Sequence, residues 1–330
     1  MSQNNFKTLF KSMLTAIITG IALAIIILII YSSSTRSYIY NFISTESDTS
    51  VTYINIDEPE IVETDFTRLS KSVLYSAKSD FEISEKRDDY APTASSKKIS
   101  AKAYYVKNIS DDRIILKKNE DTLMPVASIA KLVTAVIARK LLDQNQYIAI
   151  TPAMANTYGN EARFRVGERL TVEELLYPLL MVSSNDSAEA LAMSFPGGRK
   201  KFVNEMNNWV NSIGAYRTYF KDPSGLSAQN VSTAKDISII STWIIENDPD
   251  IFKITSTKFT TIRTHTWTNP VHFLNLTSYI GGKNGYTPEA NRTGLSIFKL
   301  GSKEKIFSVI ILGSSMRDND TLDLLDEAVM

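Results

Sequence analysis

The chain predicts an α/β architecture of the α+β type: one antiparallel sheet flanked by helices, with a helical block inserted in the middle of the sheet's sequence. Three observations carry that prediction. "ISAKAYYVKNISDDRIILKKNED" holds two short alternating apolar runs around "NISDD", the pattern of a β-hairpin. From Pro125 to Asn247 apolar residues recur mostly at helical spacing, and from Lys258 onward the texture returns to short β-rich runs separated by turn residues. Two strands, a run of helices and a run of strands imply a sheet built from both ends of one domain.

Taken in order, the chain starts with residues 1–12, a short polar tail with Lys7 and Lys11. "MLTAIITGIALAIIILIIY", Met13–Tyr31, is an uncharged apolar run of the roughly 20 residues that a bilayer-spanning helix needs. It exceeds the about 7 to 15 residues of a signal-peptide core and no A-x-A site follows it, so it reads as an uncleaved anchor. The lysines before it keep the tail cytoplasmic and put everything after Tyr31 outside. Residues 32–97, opening on the Ser/Thr-rich "SSSTRSYIYNFISTESDTS", read as a linker or stalk, with room for one short helix in "DFTRLSKSVLYSAKSDFEI". The folded domain is expected over 98–330. After its opening hairpin comes a helix from Pro125 through Leu142, free of internal Gly and Pro. "TVEELLYPLLMV", "SAEALAMSF", "GRKKFVNEMNNWVNSIG" and "TAKDISIISTWIIEN" supply further helices. "KFTTIRT", "YIGGKNGYT", "GLSIFKL" and "KIFSVIILG" supply strands, and "TLDLLDEAV" closes the chain as a helix.

Composition excludes several functions. Lys plus Arg equals Asp plus Glu, 36 of each, and no basic block is present to follow a phosphate backbone, so nucleic acid is not an expected partner. The absence of cysteine removes thiolate chemistry and cysteine metal sites. The only histidines, His265 and His272, stand outside any H-E-x-x-H frame, so no metal and no organic cofactor are expected; both read as strand or loop residues.

The chemistry lies elsewhere. Ser128 and Lys131 in "PVASIAKLVTA" fall on one face of the helix if it opens at Ser128, with Cβ atoms roughly 5–6 Å apart. A lysine among Ile129, Leu132 and Val133 loses basicity through burial and can then take a proton from a serine near neutral pH. The tetrad Ser-x-x-Lys is weak by itself, since it starts at Ser95, Ser128, Ser232, Ser296 and Ser302. Taken alone it is better read as a helix cap beside a solvent-facing lysine. In "MVSSND", Ser183 can relay a proton and Asn185 can orient a substrate amide, although such a run is ordinarily an N-cap. In "IGGKNGYT", Lys283 can meet a carboxylate and Gly285 can let a substrate backbone approach, although Asn284-Gly285 also signals a hairpin turn.

Together and in this order, the three motifs resemble the triple signature of the serine penicillin-binding and β-lactamase superfamily. Within it the chain is most similar to the low-molecular-weight D-alanyl-D-alanine carboxypeptidases. "FRVGERLTVEELLYPLLMVSSNDSAEALA", "KDPSGLSAQNVSTAKDISII", "TNPV" and "GGKNGYTPEA" look like that family's segments, covering most of Lys98 to Leu312. The resemblance implies a β-lactamase/transpeptidase-like fold acting on peptidoglycan stem peptides and inhibited by β-lactams; joined to the 13–31 anchor, it gives a single-pass bacterial membrane protein with its catalytic domain outside. It implies Ser128 as nucleophile, Lys131 as its base and Ser183 as relay to the departing D-alanine. Asn185, Lys283, Asn284, Gly285 and Tyr286 would bind substrate, and the backbone N–H groups of Ser128 and Tyr286 would form the oxyanion hole. One departure stands out: Asn284 occupies the place of the family's Thr or Ser, which leaves open a shifted specificity or a weak, binding-only relative. A serine β-lactamase is disfavoured, because Glu189, Glu205 and Glu246 lack an Asn four residues on.

Overall fold

Short half-apolar strands gain stability only by pairing and covering both faces of the resulting sheet. The computed structural model describes residues 98–329. The tail, anchor and linker expected over 1–12, 13–31 and 32–97 lie outside the described residues. Strands β1 (Ala103–Asn108) and β2 (Arg113–Lys118) form the expected hairpin. The open edge of β1 pairs with β11 (Lys305–Ser314), which pairs with β10 (Asn291–Leu300) and through it with β9 (Tyr279–Thr287). The sheet order is β2-β1-β11-β10-β9, antiparallel throughout. Both ends of the domain thus meet in one sheet, as the pattern predicts.

Period-two alternation divides the sheet's apolar residues between two cores. Ala103, Tyr105, Leu295, Ile297, Ile310 and Leu312 face the inserted helices. Val106, Phe298, Phe307, Val309 and Ile311 face the other way, onto the C-terminal helix.

After β3 (Met124–Pro125) and a 3₁₀ turn (Ala127–Ile129), helix α1 (Ala130–Leu141) runs through the first core, with every residue from Ala130 to Ala138 buried. The remaining elements of the block are β4 (Tyr147–Ala149), α2 (Pro152–Ala155), β5 (Arg169–Thr171), α3 (Val172–Met181), α4 (Asn185–Met193) and α5 (Gly198–Ser212). They are followed by β6 (Val231–Ser232), α6 (Ala234–Asn247) and α7 (Asp250–Thr255). Helices α3, α4, α5 and α7 pack on α1, while α6 packs on β1 and β11. Leu132, Leu175, Leu176 and Leu179 are fully buried at this junction, where Leu→Ala costs about 2–5 kcal/mol. Thr171 and Glu174 start α3 with a reciprocal capping box that fixes where the helix begins.

Three expectations change in detail. "KFTTIRT" does form a strand, β7 (Phe259–Ile262), but it pairs with β8 (His265–Thr268) in a separate hairpin instead of joining the main sheet. The two-residue turn Arg263-Thr264 makes β8 the nearest partner, and Trp267 buries one face of the hairpin. The helix after Pro125 opens as a 3₁₀ turn because Ala127 has φ +48°, incompatible with a right-handed helix. The last helix, α8 (Arg317–Val329), begins at Arg317 instead of Thr321, with Asp318 and Asp320 favourably placed in its first turn. Among the described residues no helix is long and apolar enough to cross a membrane.

Candidate active site

Where the 3₁₀ turn meets the end of the sheet, a cleft of about 560 Å³ opens. Ser128, Ser183, Asn185, Asn284, Gly285 and Tyr286 line it. Lys131, fully buried, and Lys283, 5% exposed, lie beneath it. Three motifs far apart in sequence are therefore brought together by helices on one wall and by β9 on the other.

The helical wall carries the first pair. Lys131 Nζ lies 3.0 Å from Ser128 Oγ, 2.6 Å from Asn185 Oδ1 and 2.6 Å from the Ser224 carbonyl. An ammonium has three protons, and these three acceptors use them all. Of the three, only the serine hydroxyl can also donate. A neutral Lys131 therefore has one place to aim its lone pair, at the Ser128 proton. Burial pushes the Lys131 ammonium down to about 7, against the partly compensating charges of Asp222, Asp186 and Glu189. The group is a base available near neutral pH.

Two further features fix this wall. Asn185 Nδ2 donates to the Tyr158 carbonyl (2.8 Å), so the amide's orientation toward Lys131 is set from both ends. Ser184 caps α4 by accepting from Ser187 N (2.9 Å), which leaves the neighbouring Ser183 at φ +60° with its hydroxyl in the cleft.

The 222–227 turn holds the Ser224 carbonyl in place. Asp222 accepts from the backbone N–H groups of Ser224 (2.9 Å), Gly225 (2.7 Å) and Ser227 (2.8 Å) and from Asn230 Nδ2 (2.8 Å). Burial alone would raise its carboxyl, but these donors outweigh burial and the net shift is downward. Thr134, one helical turn after Lys131, donates to the Pro223 carbonyl (2.5 Å) and clamps the same turn to α1. Gly225, at φ +87°, lies so close that a Cβ would collide with the Ala127 carbonyl.

The sheet wall carries the second pair. Lys283 Nζ donates to Ser183 Oγ (2.9 Å) and to the Asn284 carbonyl (2.9 Å). Burial drives this lysine well below its ordinary range, and the positive charges of Lys131 and Arg317 push the same way. Asn284-Gly285 is not a hairpin turn: both residues sit inside β9. Strand β9 presses against the serine's turn, and a Cβ on Gly285 would lie 2.8 Å from Ser128 N and 2.6 Å from Thr293 Oγ1. Thr293 in turn donates to the Val126 carbonyl (3.0 Å), tying β10 to the start of the turn.

Sequence reasoning missed four contributors. Asp222 and Gly225 carry a legible turn signature, Asp-Pro-Ser-Gly, but nothing in it reveals that the turn cradles a lysine. Arg317, at the start of α8, lines the cleft and donates from Nε to Asp318 Oδ1 (2.7 Å). Burial alone would raise the Asp318 carboxyl; hydrogen bonding from His272 and the Arg317 charge more than offset it and hold the group at about 2. Asn284 Oδ1 and the Arg317 stem crowd the same point, 3.5 Å and 2.8 Å from where a Gly294 Cβ would stand. Glu161 is the fourth, an exposed carboxylate on the cleft rim. The two histidines stay outside the cleft lining: His265 pairs with Glu168 and stacks on Trp267, and His272 pairs with Asp318.

Such an arrangement, a hydroxyl beside a lysine with its charge suppressed and a second hydroxyl beside a second buried lysine, is suited to acyl transfer through a serine ester. Known proteins similar to this chain include DD-peptidases and penicillin-binding proteins. A D-alanyl-D-alanine endopeptidase of Escherichia coli K12 is 36% identical over 153 residues, 45% of this chain and 48% of that protein. A D-alanyl-D-alanine carboxypeptidase of Bacillus subtilis is 27% identical over 215 residues, 62% of this chain and 54% of that protein. The chain thus spans about half the length of these curated relatives. Among solved structures, the Streptomyces K15 DD-transpeptidase superposes with a TM-score of 0.67 at 25% identity, covering 72% of this chain and 99% of that one. Penicillin-binding protein D2 of Listeria monocytogenes, in an ampicillin-bound form, gives a TM-score of 0.64 at 25% identity, covering 72% of this chain and all (100%) of that one. The D-alanyl-D-alanine carboxypeptidase family profile matches residues 90–312, so that with fold, cleft and motifs in agreement, the chain belongs to that family.

Proposed function

We propose that the protein is a serine DD-peptidase that cleaves at D-alanine in peptidoglycan stem peptides through an acyl-enzyme on Ser128. One observation carries the reading: Lys131, with a pKa near 7, stands 3.0 Å from Ser128 Oγ and has no other proton donor among its three partners. Ser128 Oγ attacks the carbonyl carbon of the penultimate D-alanine and its proton passes to Lys131 Nζ. The negative charge on the former carbonyl oxygen is met by the N–H groups of Ser128 and Tyr286, donors that typically matter by about 10²–10³-fold in rate. Collapse breaks the C–N bond, and the departing amine takes a proton relayed through Ser183 Oγ, which Lys283 holds. Water then adds to the ester and releases the acid. Asn185 orients the peptide, and Lys283 with Arg317 and Asn284 receives its terminal carboxylate.

We further propose that residues 13–31 anchor the chain in a bacterial membrane and place the domain on the extracytoplasmic side. The uncharged run and the lysines before it support this reading.

Asn284 favours a second reading. A carboxamide is bulkier than a hydroxyl and recognises a peptide amide as readily as a carboxylate, which suits cleavage of an internal crosslink; at the limit it leaves a protein that binds stem peptides and turns them over slowly. The test is mass spectrometry of the purified full chain after exposure to a penicillin, beside Ser128→Ala. A stable adduct on the wild type alone is expected. No adduct and no antibiotic consumed would favour the binding-only relative, and rapid consumption without adduct would favour a β-lactamase.

A further inference from the structure

The cleft is lined by one acidic and one basic side chain, Glu161 and Arg317, and they belong to opposite walls. Arg317 lies beside Asn284 and Gly294, on the sheet side. Glu161 belongs to the loop between α2 and β5, which is fastened to the helical wall. There Asn185 N donates to the Gly159 carbonyl (3.0 Å), Asn185 Nδ2 to the Tyr158 carbonyl (2.8 Å) and Ala162 N to Asp186 Oδ1 (3.4 Å). Ser128 is within reach of both walls: Lys131 Nζ lies 3.0 Å from its hydroxyl, and a Cβ on Gly285 would lie 2.8 Å from its backbone N.

Three other glutamates of the helical block are occupied: Glu168 is held by His265, Glu174 by Arg263 and Glu189 by Arg199. Glu161 is exposed and makes no hydrogen bond or ion pair with another described residue. Beside it Tyr158 is 83% exposed, with its backbone pinned by Asn185, so its ring offers a face to a cation on a fixed stretch of chain. On the DD-peptidase reading, a peptide with its terminal carboxylate at Arg317 and its scissile carbonyl at Ser128 runs on toward the helical wall, where Glu161 and Tyr158 also line the cleft.

We propose that Glu161 and Tyr158 form a subsite for a cationic amine on a side chain of the acyl-donor peptide, N-terminal to the bond that is cleaved. The ligand class is a flexible side chain ending in an ammonium, as in lysine or another diamino acid. This inference rests on the DD-peptidase reading for the direction of the peptide.

The test compares two peptides ending in D-Ala-D-Ala that differ only at the preceding residue, lysine in one and ε-N-acetyl-lysine in the other. Their affinities are measured by calorimetry on the full chain carrying Ser128→Ala, with and without Glu161→Gln, so that binding is read whether or not the protein turns substrate over. The free-amine peptide is expected to bind about two- to five-fold more tightly, as an exposed ion pair allows. The preference should shrink as salt rises and vanish with Glu161→Gln. Equal affinities, no binding of either peptide, or a preference that survives Glu161→Gln would each overturn the subsite. Release of D-alanine by the wild type, followed in parallel, separates the two ideas. Turnover without preference sinks the subsite and keeps the peptidase, whereas preference without turnover does the reverse.

Discussion

The two buried lysines share a cleft and differ in almost everything that surrounds them. Lys131 projects from a helix into three acceptors, with the carboxylates of Asp222, Asp186 and Glu189 near enough to offset part of its burial. Lys283 projects from a strand, donates to one hydroxyl and one carbonyl, and has two positive neighbours, Lys131 and Arg317. The first environment holds a base near neutrality before any substrate arrives. The second is short of negative charge and is completed only by an anion from outside. One wall is tuned for proton transfer and the other for recognition.

The largest effect that would break this comparison is on the rate of acylation. Lys131→Met should slow penicillin acylation by about 10²–10⁴-fold, the usual worth of a positioned base. In the wild type the acylation rate should climb as pH rises through about 7, where Lys131 loses its proton, and then level off. Stopped-flow acylation across pH would show this, and a wild-type profile flat through neutrality would remove Lys131 from the role.

Ser183 comes next, because it joins the walls. At φ +60° a non-glycine side chain is strained by roughly 1–2 kcal/mol, and Ser183→Gly trades that strain for the lost Lys283 hydrogen bond, so stability should hold within about 1 kcal/mol while activity falls roughly 10²-fold with the relay hydroxyl. Urea titration beside a turnover assay reads both, and lost activity with lost stability would mean the hydroxyl is structural.

A smaller effect is expected at Arg317. Its replacement by Ala should raise KM for a peptide with a free carboxylate about 10- to 100-fold. A peptide ending in a carboxamide should scarcely notice the change. Equal losses on both peptides would assign the arginine to folding.

The last effect is of another kind, on stability against pH. The Lys131 pKa is about 7 in the folded protein and about 10.4 in an unfolded chain, so the unfolded state binds more protons between those values. Stability should therefore rise with pH across that window, by at most about 1.4 kcal/mol per unit from this group, and be fully penalised below it. Lys131→Met should flatten the slope in chemical denaturation at several pH values. An identical slope in the variant would mean that the buried ammonium is not what sets it.

The fold was legible to the extent that it is local. Alternation around "NISDD" and the apolar stretch after Pro125 depend on neighbours in sequence, and both appear as strand pair and buried helix. The fate of β7 was not legible, because its pairing is decided by a two-residue turn and by Trp267 finding a buried place. For the site, spacing suggested Ser128 with Lys131, the runs "MVSSND" and "IGGKNGYT" offered Ser183, Asn185 and Lys283, and family resemblance joined the three. Asp222 and Arg317 depend on contacts across the fold: one shapes a turn whose carbonyl happens to meet Lys131, and the other arrives from the far side of two more strands. No local pattern encodes either meeting.

The charge-starved pair beneath the cleft has a consequence for proton counting. When a carboxylate docks beside Lys283, the charged form of each lysine becomes cheaper, and both groups draw protons from solvent. Near and above neutral pH, an anionic ligand should therefore bind with a net uptake of protons, and its apparent affinity should fall as pH climbs. The heat of binding would then depend on the ionisation enthalpy of the buffer, so the cleft would report its own electrostatics through the solution around it.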